Sequence, residues 1–232
     1  MTTRARRTER RNQVLSREQI LEAAIALLDA GGERALTVRA LSERLSTGSG
    51  AIAYYVGKRD DLLDAATETL IMAALEAKPA GAGTSPEDEI RGVALAVFDA
   101  IDEHKWLATR LLLQIVRNPM GPVTVGLFER IGGQVGALGV PEDRWFDAAS
   151  TLVHYILGAI SQNADIAGDA SGLDADADRA AFFGAASAAW EELPVADYPF
   201  MHAVVGRIRE HDDREQFLTG IAVVLDGVTR LR

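Results

Sequence analysis

An all-α fold is predicted for this chain by three observations. Apolar residues recur three and four apart, and no stretch shows the strict alternation of a half-buried strand. Ala and Leu are abundant, whereas only 4 Tyr, 7 Phe and 3 Trp occur in 232 residues, a poor composition for sheets. Helix-start and helix-stop chemistry also punctuates the chain at intervals suited to helices of two to five turns. The length suggests one or two domains with a sizeable core. Without cysteine there can be no disulfide framework, thiolate zinc site, iron–sulfur cluster or Cys nucleophile. No run of 18 apolar residues predicts a transmembrane helix. The basic N-terminus has no apolar stretch behind it, so it is not expected to be a signal peptide.

Element by element, Ser16-Arg-Glu-Gln19 is a capping box, with Leu15 and Ile20 at the staple positions. The first helix then places Ile20, Ala24, Leu27 and Leu28 on one face and stops at Gly31-Gly32. Thr37 caps a second short helix with Leu41 and Leu45 four apart. After Ser46-Thr47-Gly48, a third runs from Ser49 to Val56 with Ile52 and Val56 facing inward, until Gly57 breaks it. Asp60 and Asp61 open a fourth helix, complementing its dipole, and Leu62, Leu63, Ala66, Leu70 and Leu75 continue its apolar stripe. Pro79 to Pro86 reads as a linker, with Ser85-Pro86 starting the next helix. Beyond it, helices are expected at roughly 86–103, 105–117, 122–138, 142–166, 175–191, 199–210 and 213–231, and residues 167–179, rich in Asp, Ala and Gly, read as a mobile acidic loop.

The net charge of −10 conceals an asymmetry. Residues 1–60 carry 11 Lys/Arg against 7 Asp/Glu, whereas the remainder carries 13 against 27. The first 17 residues alone hold six arginines and one acid. A basic arm and head on an acidic body is the distribution expected when one end of a molecule meets phosphate. The second and third helices, separated by three residues, form a helix-turn-helix candidate at 38–56, with Ser42 and Ser46 at the crowded positions and Ile52 as the apolar plug.

Leu36-Thr-Val-Arg-Ala-Leu-Ser-Glu-Arg-Leu45, Gly50-Ala-Ile-Ala-Tyr-Tyr-Val56 and Gly57-Lys-Arg-Asp-Asp-Leu-Leu63 together resemble the N-terminal domain of the TetR (tetracycline repressor) family. His154-Tyr-Ile-Leu-Gly-Ala159, Tyr198-Pro-Phe-Met201 and the ending Phe217…Leu225-Asp-Gly227 resemble the ligand-binding domain of tetracycline-repressor-like members. The resemblance implies a cytoplasmic, all-helical homodimer that represses transcription from a palindromic operator on double-stranded DNA, and releases it when a small-molecule effector binds. It divides the chain into a disordered basic arm (1–14), a helix-turn-helix domain (15–60), a connecting helix (61–78) and a ligand-binding and dimerisation domain (79–232). Ser46 stands where family members usually carry Gly; a left-handed non-Gly residue there costs on the order of 1 kcal/mol. Ala53 stands where a Tyr is usual, and Arg59 where Lys is common.

A recognition helix puts its N-terminal residues against base edges, here Gly48, Ser49, Ala51 and Ala53. Arg39, on the preceding helix, is the expected reader of guanine O6 and N7. Thr37, Tyr54, Tyr55, Lys58 and Arg59 are expected phosphate contacts, with the arginine arm adding salt-dependent affinity. An effector pocket is expected among Phe98, His104, Trp106, Arg110, Gln114, His154, Leu157 and Gln162. Gln162 occupies the position where tetracycline repressors carry an acid that helps hold the drug's metal, so no metal and no resident cofactor is assigned. The dimer is expected through the helices near 142–166 and 213–231, the second with Phe217, Ile221, Val224, Leu225 and Val228 in register. A monomer would bury that stripe internally instead. Gly158 and Gly220 are read as permitting close helix approach.

The chain is not expected to be an enzyme. Its histidines, at 104, 154, 202 and 211, are too scattered for a metal pair, and no nucleophile elbow or phosphate loop occurs. The alternative reading is a helical adaptor that binds a protein partner, which would need neither the basic arm nor the cluster around Arg39.

Overall fold

Capping chemistry decides where several of the helices begin. In the computed structural model, which describes residues 15–56, 58–77, 85–162 and 175–232, the Ser16 Oγ accepts from the Gln19 N–H while the Gln19 Oε1 accepts from the Ser16 N–H. That closed box starts α1 (Arg17–Ala35). Gly31 and Gly32 leave helical geometry inside it, so the last turn of α1 is set off by a kink. Thr37 Oγ1 accepts from the Ala40 N–H and starts α2 (Val38–Leu45), which is followed by α3 (Ser49–Val56). At α4 (Arg59–Glu76) it is the Asp61 carboxylate that accepts from the Lys58 N–H.

Ser85 caps α5 (Pro86–Glu103), with proline in the first turn where its missing N–H costs nothing. Next come α6 (Leu107–Arg117), α7 (Pro122–Ala137), a 3₁₀ turn at Glu142–Arg144, and α8 (Trp145–Ser161). The chain ends in α9 (Ala175–Glu191), α10 (Pro199–Arg209) and α11 (Asp213–Thr229). No strand occurs among the described residues. Several expected boundaries change: the first helix runs past Gly31-Gly32 to Ala35, and the helix expected over 142–166 is a 3₁₀ turn followed by α8, which starts at Trp145 and ends at Ser161. The helix expected from 105 begins at Leu107, with Trp106 at the cap, and the final residues of the acidic stretch at 167–179 belong to α9. The arm at 1–14, the linker residues 78–84 and residues 163–174 lie outside the described residues.

The head packs α1, α2 and α3 around the first half of α4, burying Ile20, Leu28, Leu41, Ile52 and Leu63. Each such side chain contributes about 1.5–3 kcal/mol of hydrophobic stabilisation. The second half of α4 packs on α5, α6 and α7, so one helix spans head and body. The body core adds Ile90, Val97, Leu111, Leu127, Leu152, Ile156 and Ile221. The α9–α10 pair packs chiefly on itself.

Candidate nucleic-acid interface and effector groove

The turn between α2 and α3 is closed by Ser46, held left-handed at φ 51°, ψ 41°. Its N–H donates to the Glu43 carbonyl at 3.3 Å, and the Thr47 N–H to the Ser42 carbonyl at 3.0 Å. This is the conformation that the serine's side chain makes costly. It aims α3 across α2, and Ile52, 2% exposed, fixes its inner face on the head core. Ser49 and Gly50, in the first turn of α3, and Tyr54 further along it are all exposed. A Cβ at Gly48 or Gly50 would meet nothing within 4 Å, so the start of α3 presents bare backbone at the surface.

The other predicted contacts are distributed around this face. Arg39 is 88% exposed, and its Nε donates to Glu43 Oε1 at 2.8 Å, one turn further along α2. Thr37 is exposed but its hydroxyl oxygen already accepts the capping bond. Lys58 is exposed at the start of α4, and Ala51 is half-buried. For Ala53 and Tyr55 only the helical backbone falls among the described features. Arg59, exposed at the start of α4, also makes contacts within the head. Its Nε donates to the Leu36 carbonyl at 3.1 Å and its Nη2 to the Glu33 carbonyl, with the Glu33 carboxylate at 3.6 Å. Carbonyls at a helix end lack intrahelical partners and carry partial negative charge, which is why a guanidinium settles there. Arg59 braces the head.

Three residues expected in an effector pocket make polar contacts with the head, and one of them, His104, also lines a second groove of about 490 Å³ between α4 and α5. Arg110, buried on α6, binds Glu33 with both arms of its fork: Nε donates to Oε1 at 2.6 Å and Nη2 to Oε2 at 2.5 Å. Those hydrogen bonds hold the Glu33 carboxyl below its ordinary pKa. His104 Nδ1 lies 2.8 Å from Asp29 Oδ1, and Trp106 Nε1 donates to the same oxygen at 2.9 Å. A carboxylate only accepts, so Nδ1 carries the hydrogen. The sequence signal for this junction was Asp29 and Glu33 flanking the glycine break. It is a weak one, because acids near a helix end are usually solvated.

Phe98, His154 and Gln162 do come together. They line a groove of about 640 Å³ between α8 and α11. Its floor was not foreseen: Phe98 stacks on Phe217 with ring centroids 4.9 Å apart, and Tyr155 on Phe217 at 6.0 Å. The Tyr155 hydroxyl donates to the Phe217 carbonyl at 3.1 Å, and burial raises the phenol's pKa. Asp213, Gln216 and Thr219 supply further polar edges. Leu157 belongs to the core, 6% exposed. Gln114 is also buried, and its Oε1 meets no donor among the described residues. No group of three or more His, Asp or Glu among the described residues could hold a metal ion.

Comparison with known proteins decides the family. A model of the bacterial regulatory proteins of the tetR family matches residues 20–66, and a model of the tetracyclin repressor-like C-terminal domain matches residues 81–232. The chain belongs to the TetR family. It is 50% identical to the TetR transcriptional regulator SCO7222 of Streptomyces coelicolor, covering 94% of this chain and 99% of that one, with a TM-score of 0.82. It also shares its fold with S. coelicolor ActR, solved in complex with actinorhodin, at 22% identity over 93% of this chain and 96% of that one, TM-score 0.72. An HTH-type transcriptional regulator of Saccharopolyspora erythraea is 26% identical over 68% of this chain. The match spans 65% of that relative, just under two thirds of its length. TetR-family regulators are not enzymes.

On this TetR-family body the expected dimer stripe is turned inward. Phe217, Ile221, Leu225 and Val228 are buried against their own chain, because α11 packs on α8 and α5. Gly220 serves the same intramolecular contact, since a Cβ there would lie 1.8 Å from the Tyr155 hydroxyl. The face that α8 and α11 leave outward instead carries Thr151, His154, Gly158, Thr219 and Val223. No described helix is long and apolar enough to cross a membrane.

Proposed function

We propose that this chain is a ligand-responsive transcriptional repressor, cytoplasmic and without a resident cofactor, that binds a palindromic operator as a homodimer. One observation carries the reading. The left-handed turn at Ser46 and the buried Ile52 orient α3 so that Ser49, Gly50 and Tyr54 face outward beside the exposed Arg39. That is a surface a major groove accepts: small residues for close approach, one guanidinium for guanine, and hydroxyls for phosphate or base edges.

Two copies paired through the outward faces of α8 and α11 would present two such helices about a two-fold axis, hence the palindrome. The groove with the Phe98–Phe217–Tyr155 floor opens on that same face, so an effector with a flat apolar part would sit at the seam between the copies, its polar edges within reach of His154 and Gln162. The α4 helix crosses from head to body, so an effector that tilts it changes the separation of the recognition helices and weakens binding to both half-sites at once.

Selection of bound duplexes from a random DNA pool tests this, with purified protein at moderate salt. Enrichment of one palindrome is expected. A folded dimer that enriches nothing would sink the repressor reading in favour of an adaptor.

A further inference from the structure

We infer that the polar contacts between α1 and the body form a latch that sets the angle of the head, making Asp29 and Glu33 positioning residues for binding two half-sites together. The inference rests on the functional reading above and adds to it a second connection besides α4.

A single helix through a joint leaves a rotation about its own axis. The apolar contacts of α4 do not prescribe one angle, because hydrophobic burial is non-directional. Charged hydrogen bonds are short and directional, so they fix an angle. Here they join the end of α1 to the corner between α5 and α6. All the head's acceptors lie within 29–33, and the body donors His104, Trp106 and Arg110 lie within seven residues of each other. The glycine kink falls between Asp29 and Glu33, so each side of the kink has its own anchor.

Glu33 has a second tie, to Arg59 at the start of α4, and Arg110 lies 3.8 Å from Asp60 on that same first turn. The cluster Arg59–Glu33–Arg110–Asp60 therefore stands where α1, α4 and α6 meet. Hydrogen bonds of 2.5–2.9 Å are largely lost when one partner moves by about 1 Å. The latch thus has two discrete conditions, closed and open, and α6 carries its strongest member.

The test is the full-length double variant Asp29→Asn/Glu33→Gln, titrated by fluorescence anisotropy against the selected palindrome and against a duplex holding one half-site. Neutralising two acids makes the head more basic, so electrostatics alone would raise affinity on both duplexes. The expected result has the opposite sign on one of them: at least a tenfold loss on the palindrome, with half-site affinity retained or raised. Reselection by the variant is expected to return palindromes of more than one spacing. Both side chains are about a third exposed, and half-site binding itself reports a folded head. Asp99→Asn, which removes a body-surface partner of Arg214, controls for charge and is expected to change neither affinity. Affinities that rise together, fall together or stay unchanged overturn the latch and leave the function standing. A wild-type protein that selects no palindrome overturns the functional reading, and the latch with it.

Discussion

Gly220→Ala probes the most crowded contact of the body, and its sign can be worked out from the structure. A Cβ at this position would lie 1.8 Å from the Tyr155 hydroxyl and 2.3 Å from its Cζ, so the ring must swing away. Swinging forfeits the stack on Phe217, about 1 kcal/mol. It also forfeits the hydrogen bond to the Phe217 carbonyl, about another 1 kcal/mol. Against these stands the helix propensity gained by replacing an interior glycine with alanine, about 1 kcal/mol. The net is a destabilisation of about 1 kcal/mol, rising towards about 3 kcal/mol if the ring is trapped and the site is overpacked. With Tyr155→Ala as background the obstruction is gone and only the propensity term remains, so the same substitution should stabilise by about 1 kcal/mol. Urea denaturation at a fixed protein concentration reads both backgrounds, which removes the mass-action effect of any dimer. Equal stabilisation in the two would refute the reasoning, because it would mean that Tyr155 does not occupy the space above Gly220.

Ser46→Gly should stabilise the head by about 0.5–1 kcal/mol, since glycine adopts the left-handed turn without penalty; a lower thermal midpoint would contradict this. Arg39→Ala should relax preference at one base pair per half-site by about 1–3 kcal/mol in a competition assay, whereas equal loss on every sequence would make Arg39 a phosphate contact. Glu33, its carboxyl pKa lowered by the Arg110 hydrogen bonds, contributes stability present above its ordinary value of 4.5 and lost as pH falls through the lower folded-state value. The stability gap between wild type and Glu33→Gln should therefore be widest near neutral pH and close on acidification. A gap that widened towards acid would reverse the assigned sign.

Several helices were legible because their starts were marked locally, whereas α6 and α8 carry no side-chain cap. Ser16, Thr37 and Ser85 cap within three residues of the N–H they satisfy, and Pro86, Pro122 and Pro199 stand in first turns, whereas the glycine pair kinks α1 without ending it. The outward face of α3 was legible only in part: Ile52 is buried and Ser49 and Tyr54 are exposed, while Ala51, expected against base edges, is half-buried. The effector residues were not legible in this way. His104, Trp106 and Arg110 look from sequence like any polar or aromatic residues of a pocket. Only docking of α1 on the α5–α6 corner, through Asp29 and Glu33 more than seventy positions earlier, turned them towards the head.

The same holds for Phe217 and its stripe. Helical spacing shows that the stripe is buried, but a partner copy and the chain's own α8 are equally good covers as far as periodicity can tell. The chain by itself determined the helices, their order, the turn at Ser46 and the basic head on an acidic body, all from interactions spanning a few residues. Tertiary structure alone decided which polar side chains meet, that Arg59 braces the head, and that Gly220 makes room for Tyr155. Those outcomes depend on how helices far apart in sequence pack, and no local pattern encodes the distance between them.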